Sequence, residues 1–149
     1  MVSIIKTDAS HRDFVALVDL LDQELAERDG EMHAYYHQFN EISRIKFAII
    51  TYKDGIPVGC GALKEFEKDT QEVKRMYVLP EMRGQGIASG ILKELEHWAM
   101  KQGYKKCILE TGKNQPEAIE LYKKSGYKII ANYGQYISIE NSVCFEKLL

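Results

Sequence analysis

The stretch over residues 72–90, EVKRMYVLPEMRGQGIASG, most restricts what this chain can fold into, because an extended apolar run passes through a glycine-bearing turn directly into a helix. Met76, Tyr77, Val78 and Leu79 place apolar side chains on both faces of a strand, as in a central strand covered on both sides. Pro80 cannot donate to a ladder beyond them. Gly84 and Gly86 permit torsions and close backbone approaches that a side chain blocks. The helix expected from Ile87 begins with amide hydrogens that have no intrahelical acceptor. Those amides, the positive end of the helix dipole and the Arg83 cation make a turn suited to a phosphate or pyrophosphate.

Spacing separates the designs that bind such groups. A Walker loop fails, since Gly112-Lys113 is followed by Asn114 instead of Ser or Thr, and Cys107 stands where the upstream glycine belongs. The dinucleotide fingerprint comes nearer, with Gly84-x-Gly86 between strand and helix and Glu110 ending the next strand. Its third glycine falls one residue late, at Gly90, and too little chain remains for a doubly wound sheet. Arg83-x-x-Gly86-x-Ala88 instead resembles the R/Q-x-x-G-x-G/A pyrophosphate loop of the GNAT acyl-CoA-dependent N-acyltransferases. Asn114, Ala118, Tyr122, Gly126 and Tyr127 resemble that family's downstream signature. The resemblance covers residues 71–128, and the first 44 residues carry little of it.

The resemblance implies an α/β (α+β) fold: one GNAT-like domain over residues 1–149, with a mixed central sheet of six to seven strands and about four helices. Two splayed parallel strands would form the acyl-CoA cleft. It implies acetyl-CoA as cosubstrate, with the backbone at Met76, Tyr77 and Val78 along the pantetheine arm and the phosphates at Arg83, Gly84, Gln85, Gly86, Ile87 and Ala88. Asn114 would bond the arm or cap the next helix. Tyr122 matches the general acid that protonates the departing thiolate, and an ordinary tyrosine pKa of ~10 keeps it protonated at neutral pH. Glu72 stands where several members place a carboxylate base; Glu65 and Glu110 are rival carboxylates, and the other readings of Glu72 are a solvated strand residue or a partner of Lys74 or Arg75. The expected reaction is direct attack of a primary amine on the thioester in a ternary complex. The alternative is a non-catalytic acyl-CoA-binding sensor or interaction module, which would not need a proton donor at Tyr122.

At 149 residues and 45% hydrophobic, the chain can bury the core of one domain. A net charge of −2 with a pI near 6.1 gives no reason to propose nucleic acid or membrane as partner. There is no apolar run of bilayer length and no basic-then-apolar leader pattern, so a cytoplasmic location is expected. Cys60, Cys107 and Cys144 are odd in number and lack C-x-x-C spacing, which favours reduced, buried thiols over disulfides or zinc. His33 and His37, at i and i+4, have no convincing third ligand, so no metal is expected. Ser138, Ser142 and Cys144 have no histidine partner for nucleophilic catalysis.

In chain order, a strand over 2–6 precedes a helix capped by Thr7 or Asp8 and running to Arg28, then a shorter aromatic-rich helix over 31–39. Asp54-Gly55 joins two strands as a hairpin, and Gly59 and Gly61 mark a bulge or a close backbone approach. A helix striped by Ile87, Ile91, Leu95 and Trp98 stops before Gly103 and leads to a parallel strand over 105–110. A short helix over 115–124 follows, then antiparallel strands over 127–131 and 143–148 around a mobile 132–141 loop. Acceptor specificity is assigned to residues 14–40 and 132–141, with a small-molecule amine expected ahead of a peptide or protein and a homodimer left open.

Overall fold

The computed structural model describes residues 1–29 and 45–149. They build one seven-stranded sheet from β1 (Val2–Thr7), β2 (Phe47–Lys53), β3 (Ile56–Glu67), β4 (Thr70–Val78), β5 (Lys106–Gly112), β6 (Lys128–Ile130) and β7 (Ser142–Leu148), in the spatial order β1-β2-β3-β4-β5-β7-β6. Three α-helices lie among the described residues: α1 (Arg12–Asp29), α2 (Ile87–Lys101) and α3 (Pro116–Lys124). The helix expected over 31–39, with His33 and His37, lies outside the described residues.

Local chemistry sets most of these boundaries. Asp54 and Gly55 both take positive φ, 51° and 81°, the torsions of a hairpin turn that keeps β2 and β3 in register. The cap of α1 differs from expectation: His11 Nδ1 accepts the Asp13 amide at 3.1 Å, while Asp8 is committed to Ser10 at 2.8 Å. Helix α2 runs from Ile87 to Lys101 as its stripe requires, with Gly103 at φ 92° just beyond it. Pro116 opens α3 at a position where its missing N–H costs nothing.

The sheet carries a core on each face. Phe14, Leu17, Val18 and Leu21 of α1 pack on Ile50, Cys60, Ala62 and Tyr77. On the opposite face, Ile87, Ile91, Leu95 and Ala99 of α2 and Tyr122 of α3 pack on Leu63, Val73, Leu109 and Phe145. Gly59 and Gly61 are the close approach that the sequence suggested. A Cβ on Gly61 would lie 2.6 Å from Met76 Sδ and 2.8 Å from Ile91 Cγ2. All three cysteines are free and buried.

Strands β4 and β5 run parallel with α2 as the crossover, and β7 lies between β5 and β6, antiparallel to both. The 132–141 loop is tied down, contrary to the expectation of mobility. It contains a 3-10 turn at Gly134–Tyr136, Tyr136 is 2% exposed, and Asn132 Nδ2 donates to the Ile139 carbonyl at 3.0 Å.

Two glycine substitutions should act in opposite directions. Gly61→Ala forces a methyl between α2 and the sheet and should cost ~1–3 kcal/mol. Gly90→Ala adds a Cβ that meets nothing within 4 Å in a helix and should gain up to about 1 kcal/mol. Urea unfolding of both variants checks this, and equal or reversed midpoint shifts would contradict the packing described.

Candidate active site

Pairing between β4 and β5 is confined to Thr70↔Lys106, Gln71↔Cys107 and Glu72↔Ile108. Beyond that point β4 continues to Val78 and β5 to Gly112 with no ladder between them. β3 holds the outer edge of β4 and β7 that of β5, so the divergence leaves a slot inside the sheet. A cavity of about 550 Å³ follows this slot. Every residue singled out from the sequence for acyl-group chemistry or cofactor binding lines it, except Glu65, Gln85 and Asn114.

At one end lies the turn before α2. Gly84 and Gly86 have φ of 79° and 81°, and a Cβ on either would touch no other protein atom within 4 Å. Backbone torsion demands glycine here, and the space beside it is open. Among the described residues, none of the amides from Gly84 to Ser89 donates to a backbone acceptor, so a run of N–H groups faces outward at the helix start. Arg83 points back into the protein: its Nε donates to the Val78 carbonyl at 2.9 Å, its Nη2 to Glu24 Oε1 at 2.8 Å, and its guanidinium lies over the Tyr77 ring. It braces the turn against α1, and Gln85 accepts from Lys53 Nζ at 3.3 Å.

The inner end is densely charged. Glu72 is 5% exposed; its Oε2 accepts the Tyr133 hydroxyl at 2.6 Å and its Oε1 lies 3.6 Å from Lys74 Nζ. Desolvation lowers the Lys74 pKa, with Glu72 opposing it. Next to Lys74 the β3–β4 register slips opposite Gly61, and Arg75 takes φ 57°, a left-handed torsion unusual for a residue with a side chain. That bulge turns the Arg75 side chain under α1, where Nη2 meets Asp22 Oδ1 at 2.5 Å. Glu110 accepts the Ser142 hydroxyl at 2.6 Å. Glu65 is exposed, bonded to the Tyr104 hydroxyl, and does not line the cavity.

Tyr122 approaches from the other face. It is 6% exposed, its ring packs on Tyr127 and Phe145, and burial, with Glu110 adding to it, pushes its pKa above that of free tyrosine. Glu72 and Val73 point to opposite sides of β4, and Val73 shares the Tyr122 core, so Glu72 and Tyr122 flank the slot from opposite faces.

The end of α1 crosses to the start of α3. Arg28 donates to Gln115 Oε1 and Glu117 Oε2, both at 2.9 Å, and its Nη2 meets Glu117 Oε1 at 2.5 Å. This hydrogen-bonded pair holds the Glu117 pKa at about 2. Asn114 neither faces the cavity nor caps α3; its Nδ2 donates to the Arg28 carbonyl at 3.2 Å, and Gln115 is the N-cap position. Gln115 lines the cavity, and its buried Nε2 has no hydrogen-bond partner.

Sequence reasoning missed Tyr133, Tyr136, Gln115 and Arg28 as parts of this site. The contacts of Tyr133, Gln115 and Arg28 cross 61 to 89 positions of sequence, as between Tyr133 and Glu72 or Arg28 and Glu117, and no local pattern encodes them. Lys74 had a legible signal, since residues two apart on a strand share a face. Among the described residues, no three metal-ligating side chains cluster and no helix is long and apolar enough to cross a membrane.

A family model described as the acetyltransferase (GNAT) family matches residues 14–127. A curated relative from Azospirillum brasilense, described as IAA acetyltransferase, is 32% identical over 138 residues, covering 91% of this chain and 90% of that protein. A crystal structure from Klebsiella pneumoniae, of a protein assigned as an acyl-CoA N-acyltransferase, superposes with a TM-score of 0.84 at 29% identity, covering 100% of this chain and 98% of that one. PaiA N-acetyltransferase from Thermoplasma acidophilum, solved in complex with coenzyme A, shares the fold at a TM-score of 0.75 and 20% identity, covering 100% and 99%.

The Asp22–Arg75 pair fixes α1 over the bulge, and Arg75 has a side chain 2% exposed. Asp22→Ala, which leaves a buried guanidinium without that partner, should lower stability by ~1–3 kcal/mol. A denaturation midpoint indistinguishable from the parent protein's would show that the pair contributes nothing to holding the helix.

Proposed function

The chain belongs to the acetyltransferase (GNAT) family, and from that premise we propose that residues 1–149 act as one N-acetyltransferase domain that moves an acetyl group from acetyl-CoA to a primary amine by direct attack in a ternary complex. The observation that carries this reading is the unpaired slot between β4 and β5, running from Glu72 and Tyr122 to the outward-facing amides at Gly84–Ser89. The slot suits an extended arm bearing amide groups, because the facing edges of β4 and β5 offer backbone partners that no strand takes up. The N–H groups before α2 suit the pyrophosphate, with Arg83 bracing the turn. Gln115 Nε2, a buried donor in search of an acceptor, takes the part along the arm that the sequence assigned to Asn114.

Amides at the bulge beside Met76 polarise the thioester carbonyl. The amine nitrogen bonds to the carbonyl carbon as the C–S bond breaks. Glu72, held by Tyr133, takes a proton from the nitrogen on one face, and Tyr122 gives one to the sulfur on the other. Burial makes Tyr122 a weaker acid than free tyrosine, so its proton is present whenever the thiolate departs. The same dry surroundings penalise an uncompensated thiolate, which keeps the transfer feasible.

Gly86→Asp should abolish CoA binding in calorimetry, since it sets a negative charge where the phosphates approach; its Cβ would meet no protein atom within 4 Å, and because the φ of 81° strains any side chain there, the variant's fold is checked alongside by circular dichroism. Undiminished CoA affinity in a folded variant would remove the basis for the phosphate site.

Tyr122→Phe deletes one hydroxyl and keeps the ring contacts with Tyr127 and Phe145. Turnover should fall ~10²–10⁴-fold with acetyl-CoA affinity nearly unchanged. Normal turnover with a lowered melting temperature would assign Tyr122 to packing alone.

A further inference from the structure

Two consecutive residues of β4, Lys74 and Arg75, both line the cavity and are both buried, at 7% and 6% exposure. Neighbours on a regular strand face opposite ways; here the bulge puts the Lys74 ammonium beside Glu72 and the Arg75 guanidinium against Asp22, on the α1 face. Burying one cation is costly, and burying two side by side next to Met76, where the acyl group would react, is costlier still. Arg75 Nε is buried with no hydrogen-bond partner. Among the described residues, none accepts from that N–H. The carboxylates of Glu72 and Glu110 line the same end of the cavity, so groups of both signs stand within one small region.

We propose that the acceptor is an amino acid, an amine whose nitrogen is recognised at Glu72 and Glu110 and whose carboxylate, one or two carbons away, is taken by Lys74 and Arg75. The inference rests on the transferase reading above and names its substrate class. The 3.6 Å between Lys74 and Glu72 sets the scale: an anion meeting the lysine and an amine meeting the glutamate must be close neighbours on one molecule. An α- or β-amino acid meets that condition. A simple alkylamine or a lysine side chain has only methylenes beside its nitrogen and leaves the Arg75 N–H without an acceptor, and a peptide N-terminus presents a neutral amide where the carboxylate should be. On binding, such a zwitterion exchanges the internal Glu72–Lys74 contact for two external ones of the same signs, so neither buried charge is left uncompensated.

The test follows thiol release from acetyl-CoA by the full chain with matched sets of acceptors: an amino acid, its carboxamide, the decarboxylated amine and the corresponding aminophosphonate. The amino acid should be the best of each set. Loss of its charge should lower kcat/KM on the order of 10- to 100-fold, mainly through KM, as expected for removing a charge-assisted contact. Lys74→Met should erase most of that advantage, bringing kcat/KM for the amino acid and for its decarboxylated amine within a few-fold of each other. Decarboxylated amines used as well as amino acids, or a variant that slows both alike, would overturn the inference and leave the transferase reading standing. An aminophosphonate preferred over the carboxylate would overturn the assignment to amino acids. If Lys74→Met fails to fold, the parent protein's acceptor panel decides by itself. Acetyl-CoA binding without turnover on any acceptor would sink the transferase reading and this inference with it, an outcome distinct from a wrong acceptor class.

Discussion

Parallel pairing between β4 and β5 stops at Glu72 and Ile108, and the usable features of this protein follow from that interruption. A sheet interior normally satisfies every backbone N–H and C=O by pairing, so two central strands that part company leave edges needing partners from elsewhere. The slot cannot close by strand sliding, because β3 and β7 fix the outer edges and each is packed on helices. Side chains from α1 tie across it: Glu24 to Arg83 at the turn, and Arg28 to Glu117 at the start of α3.

The slot also decides where the charges go. Alternation along β4 sends Val73 to the α2 face and Glu72 to the other, so a buried carboxylate and the buried Tyr122 hydroxyl reach one cavity from opposite sides. The bulge at Arg75 adds a second consecutive side chain to the α1 face and accepts a left-handed torsion to do so. Strained torsions persist only where the surroundings over-determine them, and here Asp22 on α1, the Cys60 thiol on the Arg75 carbonyl and the flanking ladder provide that constraint.

Much of the architecture was legible before the structure, for reasons visible at single residues. Asp54-Gly55 announces its hairpin because few residues accept two positive φ angles in succession, and both do so here. The start of α2 at Ile87 and its stop before Gly103 follow from apolar spacing and from glycine as the residue that accepts φ 92°. Two readings needed correction by neighbours distant in sequence. Asn114 looked like a ligand or a cap and instead bonds the Arg28 carbonyl of α1, and the 132–141 loop looked loose and instead buries Tyr136 and sends the Tyr133 hydroxyl to Glu72.

The sequence by itself determined the strand–turn–helix unit over 72–90, the helical and extended periods around it, and the motif pair that resembles one family of acyl-CoA enzymes. These depend on torsions and spacings within a few residues, which the chain carries wherever it folds. Only the tertiary structure decided which charges are paired, which side chains share the slot and which donors remain without acceptors. Arg75, Tyr133 and Gln115 are ordinary polar residues in the sequence, and their chemistry comes from burial beside partners 53 to 87 positions away. Burial and pairing of that kind are set by how strands and helices pack, and no local pattern records them.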